Sequence, residues 1–216
     1  MPSISIAETR PQIDQAIRDL EGIKNGFERA YASALNKAAE GTRTDMVTLA
    51  RDEYTYKVDA VRARTSVSKA TWTSLTSSVT SKGKGVPLTE FLGTRQTSSG
   101  LSVTIRRAAG VSAIRHAFLQ TVRSGKKLAF WRAGIFDKLA PGSAGFAQLK
   151  EAIAAGHISR SGLVWRYPIT ALYGPHPELV YNTPENWNKL QGWAKERLDV
   201  DFAHEIDYVL MQYGGH

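Results

Sequence analysis

Side chains able to do acid–base or metal chemistry are few in this chain and poorly spaced for it. There are five histidines: His116, His157, His176, His204 and His216. None stands in an H-x-x-E-H or H-E-x-x-H pattern, so the paired imidazoles of a zinc protease helix are missing. His204 and Glu205 are neighbours on a predicted helix, and adjacent positions do not share a helix face. His116, between Arg115 and Ala117, reads as an outward or interface side chain on a strand. No G-x-S-x-G elbow and no Walker A loop occurs. "SKGKG" at 81–85 lacks the spacing of a phosphate loop and reads as a basic hairpin turn. Cysteine is absent, which removes disulfides, thiol catalysis and thiolate metal ligands together. Asp59 and Glu90 are the only carboxylates between residues 57 and 132, too few to converge on the metal ions of a nuclease. The expectation is a protein without catalytic residues, metal or cofactor.

Charge is the stronger signal. The formal net charge is +8, and it is unevenly distributed. Residues 57–132 hold 14 Lys or Arg against 2 Asp or Glu, whereas 1–56 and 133–216 each hold 7 against 9. The middle is therefore basic and both flanks weakly acidic, which calls for a partner of opposite sign. The candidate contact residues are Arg62, Arg64, Lys69, Arg106, Arg107, Arg115, Arg123, Lys126, Lys127 and Arg132. They cannot all be buried unpaired, and two local acids cannot pair them. Water, the acidic flanks, a neighbouring subunit or DNA must do so. No helix-turn-helix, zinc-finger, RRM or KH signature accompanies them, so any DNA contact would be to the backbone and independent of sequence. Contacts to subunits are favoured over DNA.

These residues must be held by a scaffold, and its texture changes along the chain. Residues 11–54 carry Ile13, Ile17, Leu20, Phe27, Tyr31, Leu35, Ala38 and Met46 at helical spacing, with Ile23 and Ala34 beside them. One unbroken helix there would be about 60 Å long; a break near Gly41 is the alternative. From residue 65 the chain turns rich in Ser, Thr, Val and Trp, with turn marks at short intervals. Candidate strands are 66–80, 86–95, 101–107, 112–122 and 127–132, closely spaced and so antiparallel. In "LSVTIRR", Leu101, Val103 and Ile105 should face one way and Ser102, Thr104 and Arg106 the other. A short helix is expected at 145–155, with Phe146, Leu149 and Ile153 on one side. "LVWRYPITALYG" reads as a strand interrupted at Pro168. Thr183 is a good N-cap, Pro184 suits the first helical position and Glu185 the first turn. Trp187, Leu190, Ala194, Leu198, Phe202, Ile206 and Leu210 then keep helical steps, with a kink possible at Asp199. The aromatic, proline-rich stretch "WRYPITALYGPHPELVYNTPENW" at 165–187 is therefore read as structural: a strand, a turn around Gly174 and a helix cap. No apolar run reaches the roughly 20 residues of a membrane span, and the N-terminus does not have the pattern of a secretion signal.

Several segments resemble the phage minor tail protein Z family, the lambda-type tail completion proteins. They are "ALNKAAEGTRT" at 34–44, "YKVDAVRARTSVSKAT" at 56–71, "VPLTEF" at 86–91, "HAFLQ" at 116–120, "FWRAG" at 130–134, "YPITALYGP" at 167–175 and "FAHEIDYVLMQY" at 202–213. Residues 133–162 read as an insertion. The resemblance implies an α+β fold: a long N-terminal helix over 1–56, a basic β-sandwich or barrel-like sheet over 57–132, and a strand and C-terminal helix over 163–216, all in one tail-completion domain. It implies a virion structural protein of the tail and neck, assembled in the host cytoplasm. Its partners would be neck and tail proteins and further copies of itself, in a sixfold ring. A DNA-binding protein is the alternative.

Overall fold

The computed structural model describes residues 10–132 and 169–213. The expected helix at 145–155, the bend at Pro168, the insertion and His157 and His216 lie outside them. The fold is α+β, with long helices towards both ends and several small antiparallel sheets between. The described residues divide into two compact units, each discontinuous in sequence: one holds the residues up to Glu53, Lys57–Lys84 and those from His176, the other Tyr54–Tyr56 and Gly85–Pro175.

The first unit is mainly helical. It begins with α1 (Arg10–Asp19) and α2 (Gly26–Glu53). The predicted single helix is thus interrupted, but at residues 20–25 and not at Gly41. The reason is local: Gly22 and Gly26 flank Asn25, which adopts a positive φ of 55°. Asn is one of the few residues that tolerates that conformation. Gly41 stays inside α2, where a Cβ would run into the Arg197 side chain. Its missing side chain serves close packing.

After α3 (Val58–Arg62) come β1 (Thr65–Ser68) and β2 (Ser78–Ser81), paired antiparallel from Thr65↔Ser81 to Ser68↔Ser78. The predicted strand 66–80 is therefore a hairpin, turned at Thr71–Ser74. The unit closes with α4 (Glu178–Tyr181) and α5 (Pro184–Tyr213). Pro184 takes the first helical position as expected, and α5 runs through Asp199 without a break. Thr183 stands at the expected N-cap position, its carbonyl accepting from the Trp187 N–H at 2.9 Å, while its side chain bonds elsewhere. Its hydroxyl donates to the Val180 carbonyl at 3.0 Å, and the Asn186 amide donates there too at 2.9 Å.

Helices α2 and α5 pack antiparallel, as the cross-helix pairs show: Asp45 meets Arg197, Tyr31 meets Phe202 and Arg29 meets Tyr213. The buried face of α2 is an alanine spine, Ala30, Ala34 and Ala38, at steps of four. Small side chains let the axes approach, and α5 supplies the bulk with Leu198, Phe202 and Val209. Phe27, Tyr31 and Leu35, on the predicted apolar stripe, pack against this core half-buried. Ile17 is exposed.

The second unit is built from short strands: β3 (Val86–Pro87), β4 (Arg95–Thr97), β5 (Gly100–Val103), β6 (Ser112–Arg115), β7 (Ala117–Thr121), β8 (Lys127–Arg132), β9 (Ile169–Ala171) and β10 (Tyr173–Gly174). They form sheets β4-β5-β6, β7-β8-β9 and β3-β10, every pair antiparallel. Among the described residues no sheet closes into a barrel. The predicted strand 112–122 is split by His116, whose φ of 61° turns the chain from one sheet into the next. Likewise 86–95 breaks into β3 and a 3₁₀ turn at Leu88–Glu90 before β4 begins. Gln96 ties the two larger sheets together: its amide donates to the Gly100 carbonyl at 2.8 Å and its oxygen accepts from the Leu119 N–H at 2.8 Å.

The expected alternation in "LSVTIRR" holds only for its buried side. Ser102 is buried as well as Leu101 and Val103, so both faces of β5 are covered. The strand ends before Ile105.

The centre of this unit is Tyr56 and Phe91, both fully buried, with ring centroids 4.9 Å apart. The Tyr56 hydroxyl donates to the Pro175 carbonyl at 3.0 Å. Gly174, expected in a turn, lies instead in β10 opposite Val86. A Cβ there would stand 2.5 Å from Cζ of the Phe91 ring.

Two substitutions test these cores. Phe202→Ala should cost about 3–5 kcal/mol by leaving a cavity beside the alanine spine, read by chemical denaturation. Gly174→Ala should cost about 1–3 kcal/mol because the Phe91 ring has no free space to enter. An unchanged melting midpoint in either variant would refute the packing described.

Candidate interaction surfaces

The ten candidate basic residues are shared between the two units. Three belong to the helical unit. Arg62 is exposed at the end of α3. Arg64 is half-buried and donates to the Ala60 carbonyl at 2.7 Å. Lys69 is exposed, 3.9 Å from a Glu40 carboxylate oxygen. The others belong to the β unit. Arg115 ends β6, exposed beside His116. Arg123 and Lys126 sit in the exposed turn between β7 and β8, and Lys127 starts β8. Arg107 lies in a short 3₁₀ turn at Arg107–Ala109. Arg132 ends β8, and its side chain is outside the described residues.

Arg106 has a structural task. Its guanidinium donates to the Tyr54 hydroxyl at 3.3 Å and lies 5.5 Å from the centroid of that ring. Tyr54 and Arg106 also form a backbone bridge, and the Thr55 N–H donates to the Ile105 carbonyl at 3.0 Å. Arg106 therefore helps to pin the three-residue segment 54–56 into the β unit. Within the described part of that unit, Arg95, Arg106, Arg107, Arg115, Arg123, Lys126, Lys127 and Arg132 stand against Glu90 alone. The basic surplus of the sequence falls chiefly there.

The helical unit handles its charges differently. Arg197 grips Asp45 through one nitrogen: Nη2 donates to both carboxylate oxygens, at 3.1 and 2.9 Å, a charge-assisted pair. Lys37 pairs with Glu205, whose carboxylate is buried. That hydrogen bond, followed by the charge of Glu205, holds the Lys37 ammonium above its ordinary value of 10.5. The pair's contribution to stability is complete below that value and is lost as pH climbs through the raised one.

Acid–base chemistry finds no constellation in these residues. His176 has a buried Nδ1 without a hydrogen-bond partner, 3.9 Å from a Glu178 oxygen. Among the described residues no second carboxylate or imidazole joins that pair. Among the described residues no group of three or more His, Asp or Glu is arranged around a possible metal position, and no helix is long and apolar enough to cross a membrane.

The exposed surface of the helical unit holds two features that charge counting did not reveal. Trp72 is 59% exposed at the tip of the β1–β2 hairpin. A groove of about 580 Å³ runs beside α5, lined by Asp45, Thr48, Trp193, Arg197, Val200 and Asp201. Trp193 and Val200 are signalled by their absence from the apolar stripe of α5. Trp72 is signalled by a setting of Ser and Thr with no apolar spacing around it.

Removing side chains should separate structural from surface cations. Arg106→Ala should lower stability by about 1 kcal/mol through loss of its contacts with Tyr54. Lys126→Ala should stay within about 0.5 kcal/mol of the parent, since its site is exposed. Equal effects in thermal denaturation would contradict this division.

A family model described as prophage minor tail protein Z (GPZ) matches residues 12–137. No curated protein and no solved structure matches the chain.

Proposed function

The chain belongs to the prophage minor tail protein Z family, and we propose that it completes the phage tail at the head–tail neck as a ring of identical subunits. Membership makes it a tail structural protein, with the virion as its location and other tail proteins as its partners. The neck position, tail completion, the ring and its sixfold count are the further steps of this proposal. The observation that carries it is the length of the family match. It covers more than half of the chain and passes through segments of both compact units, so 1–216 is best treated as one tail-completion domain. The exposed aromatic and aliphatic side chains of the helical unit supply material for subunit contacts. A structural role, without catalysis, needs nothing more than such surfaces. Assembly in the host cytoplasm, before the tail meets the head, follows from the same reading.

A second reading has its own support. The β unit's surplus of Lys and Arg over Glu90 fits a backbone-binding surface for the genome. Arg123, Lys126 and Lys127 are the residues to test it, because changing Arg106 also disturbs the Tyr54 contact.

Phage lacking this protein should accumulate filled heads and separate tails. Labelled protein should appear by electron microscopy at the head-proximal tail end, and native mass measurement should find several copies per assembly. Label along the tube or at the distal tip would overturn the neck assignment. Salt-sensitive binding to random duplex, lost when Arg123, Lys126 and Lys127 are changed together to Glu while joining persists, would favour the second reading.

A further inference from the structure

The β1–β2 hairpin presents its tryptophan on a rigid mount. Thr71 and Ser74 exchange backbone hydrogen bonds of 2.9 and 3.0 Å across the turn, and the Thr71 hydroxyl accepts from the Ser74 N–H at 3.1 Å. At the base of the loop, the Asn36 side chain on α2 holds Ala70 from both sides. It donates to the Ala70 carbonyl at 3.0 Å and accepts from the Ala70 N–H at 2.7 Å. A large apolar side chain is thus held in water at 59% exposure on an ordered turn. Nothing in the hairpin's own packing requires it there. Such a preorganised aromatic loses little conformational freedom on binding, and Trp is enriched among the residues that dominate interfaces.

The groove beside α5 has matching properties. Its volume of about 580 Å³ exceeds what an indole needs and lies within the usual range of ligand pockets. Trp193, 41% exposed, and Val200, 55% exposed, give it an apolar wall. Its charge is acidic. Arg197 is occupied by Asp45, which leaves Glu196 and Asp201 to set the sign. The hairpin arm is the opposite: residues 65–84 contain Lys69, Lys82 and Lys84 and no Asp or Glu. Apolar anchor with apolar wall, and basic arm with acidic rim, are complementary in both respects.

We propose that Trp72 of one copy seats in the α2–α5 groove of the next copy. The inference rests on the ring reading above and supplies its contact. Donor and acceptor are different surfaces, and each copy offers both. With each anchor passed on to a further copy the contact is head-to-tail and generates a closed ring or a filament; two copies exchanging anchors reciprocally would form a symmetric pair instead, and a parent protein that stops at dimers would refute the ring.

The test uses the whole chain. Trp72→Ala removes the anchor, and Val200→Arg blocks the groove at an exposed site. Thr48→Trp, which fills the groove from α2, covers the case in which Val200→Arg fails to fold. Sedimentation should show the parent protein as a multi-subunit species. Each single variant should be monomeric, with association weakened on the order of 30-fold or more and an unchanged melting midpoint. An equimolar mixture of Trp72→Ala with Val200→Arg or Thr48→Trp should stop at dimers, because only one intact anchor meets one intact groove. The chain lacks cysteine, so Thr73→Cys with Glu196→Cys should give a disulfide ladder on oxidation. Single variants that assemble like the parent would overturn this contact and leave the ring reading intact. A parent protein that stays monomeric at about 100 μM would overturn both.

Discussion

The close antiparallel approach of α2 and α5 is the constraint on which the helical unit depends. It works because one partner gives up bulk. Ala30, Ala34 and Ala38 place methyl groups where Leu would hold the helices apart, and Gly41 removes even that where Arg197 crosses. The opposing helix fills the space with Leu198, Phe202 and Val209. Phe27 and Tyr31 close around Phe202, with edge-on contacts at centroid distances of 6.1 and 5.3 Å. The polar pairs Asp45–Arg197 and Lys37–Glu205 then fix the register along the helix pair, since a slip by one turn would break both together. The Tyr181 hydroxyl adds a third point, donating to the Met46 carbonyl at 3.0 Å.

Much of this was legible in the sequence, and the misses have physical causes. Helical periodicity located α5 closely, because Leu190, Ala194, Leu198 and Phe202 repeat without interruption behind Pro184. Periodicity also found α1 and α2, and its stripe of Phe27, Tyr31, Leu35 and Ala38 lies in or against the core, but it did not show that Ala30, Ala34 and Ala38 would form the close-packed centre. The break at 20–25 depends on one left-handed asparagine between two glycines, a conformational choice that apolar spacing does not report. In the β unit the strands were found and their limits were not. His116 bends a continuous apolar run into two strands, and β5 is buried on both faces, so alternation misjudged Ser102. Gly174 beside proline suggested a turn, yet its neighbour in space is Phe91, 83 positions away along the chain.

The interaction surface was less legible still. The count of basic residues was correct, but it joined residues that the fold assigns to different units. Arg62, Arg64 and Lys69 accompany the helices, and the remainder accompany the strands. Charge is a property of composition, while a surface requires coordinates. Arg106 illustrates the difference. It belongs to the basic segment by sequence, yet it is spent on the Tyr54 ring and hydroxyl. Trp72 and the α5 groove carry no sequence motif, since an exposed tryptophan is distinguishable from a core tryptophan only by what fails to surround it.

The separation of α2 from α5 along the chain bears on how the protein is made. Asp45 and Arg197 are 152 residues apart, so the alanine spine has no partner while most of the polypeptide is being synthesised. Contacts that span so much chain form late and slowly. The β unit's strands, by contrast, lie largely between those two helices in sequence and can pair first. A chain cut short before residue 184 would lack α5, and with it the packing partner on which the helical unit depends. The folding of that unit therefore waits for the synthesis of α5, while the strands encoded before it are already complete.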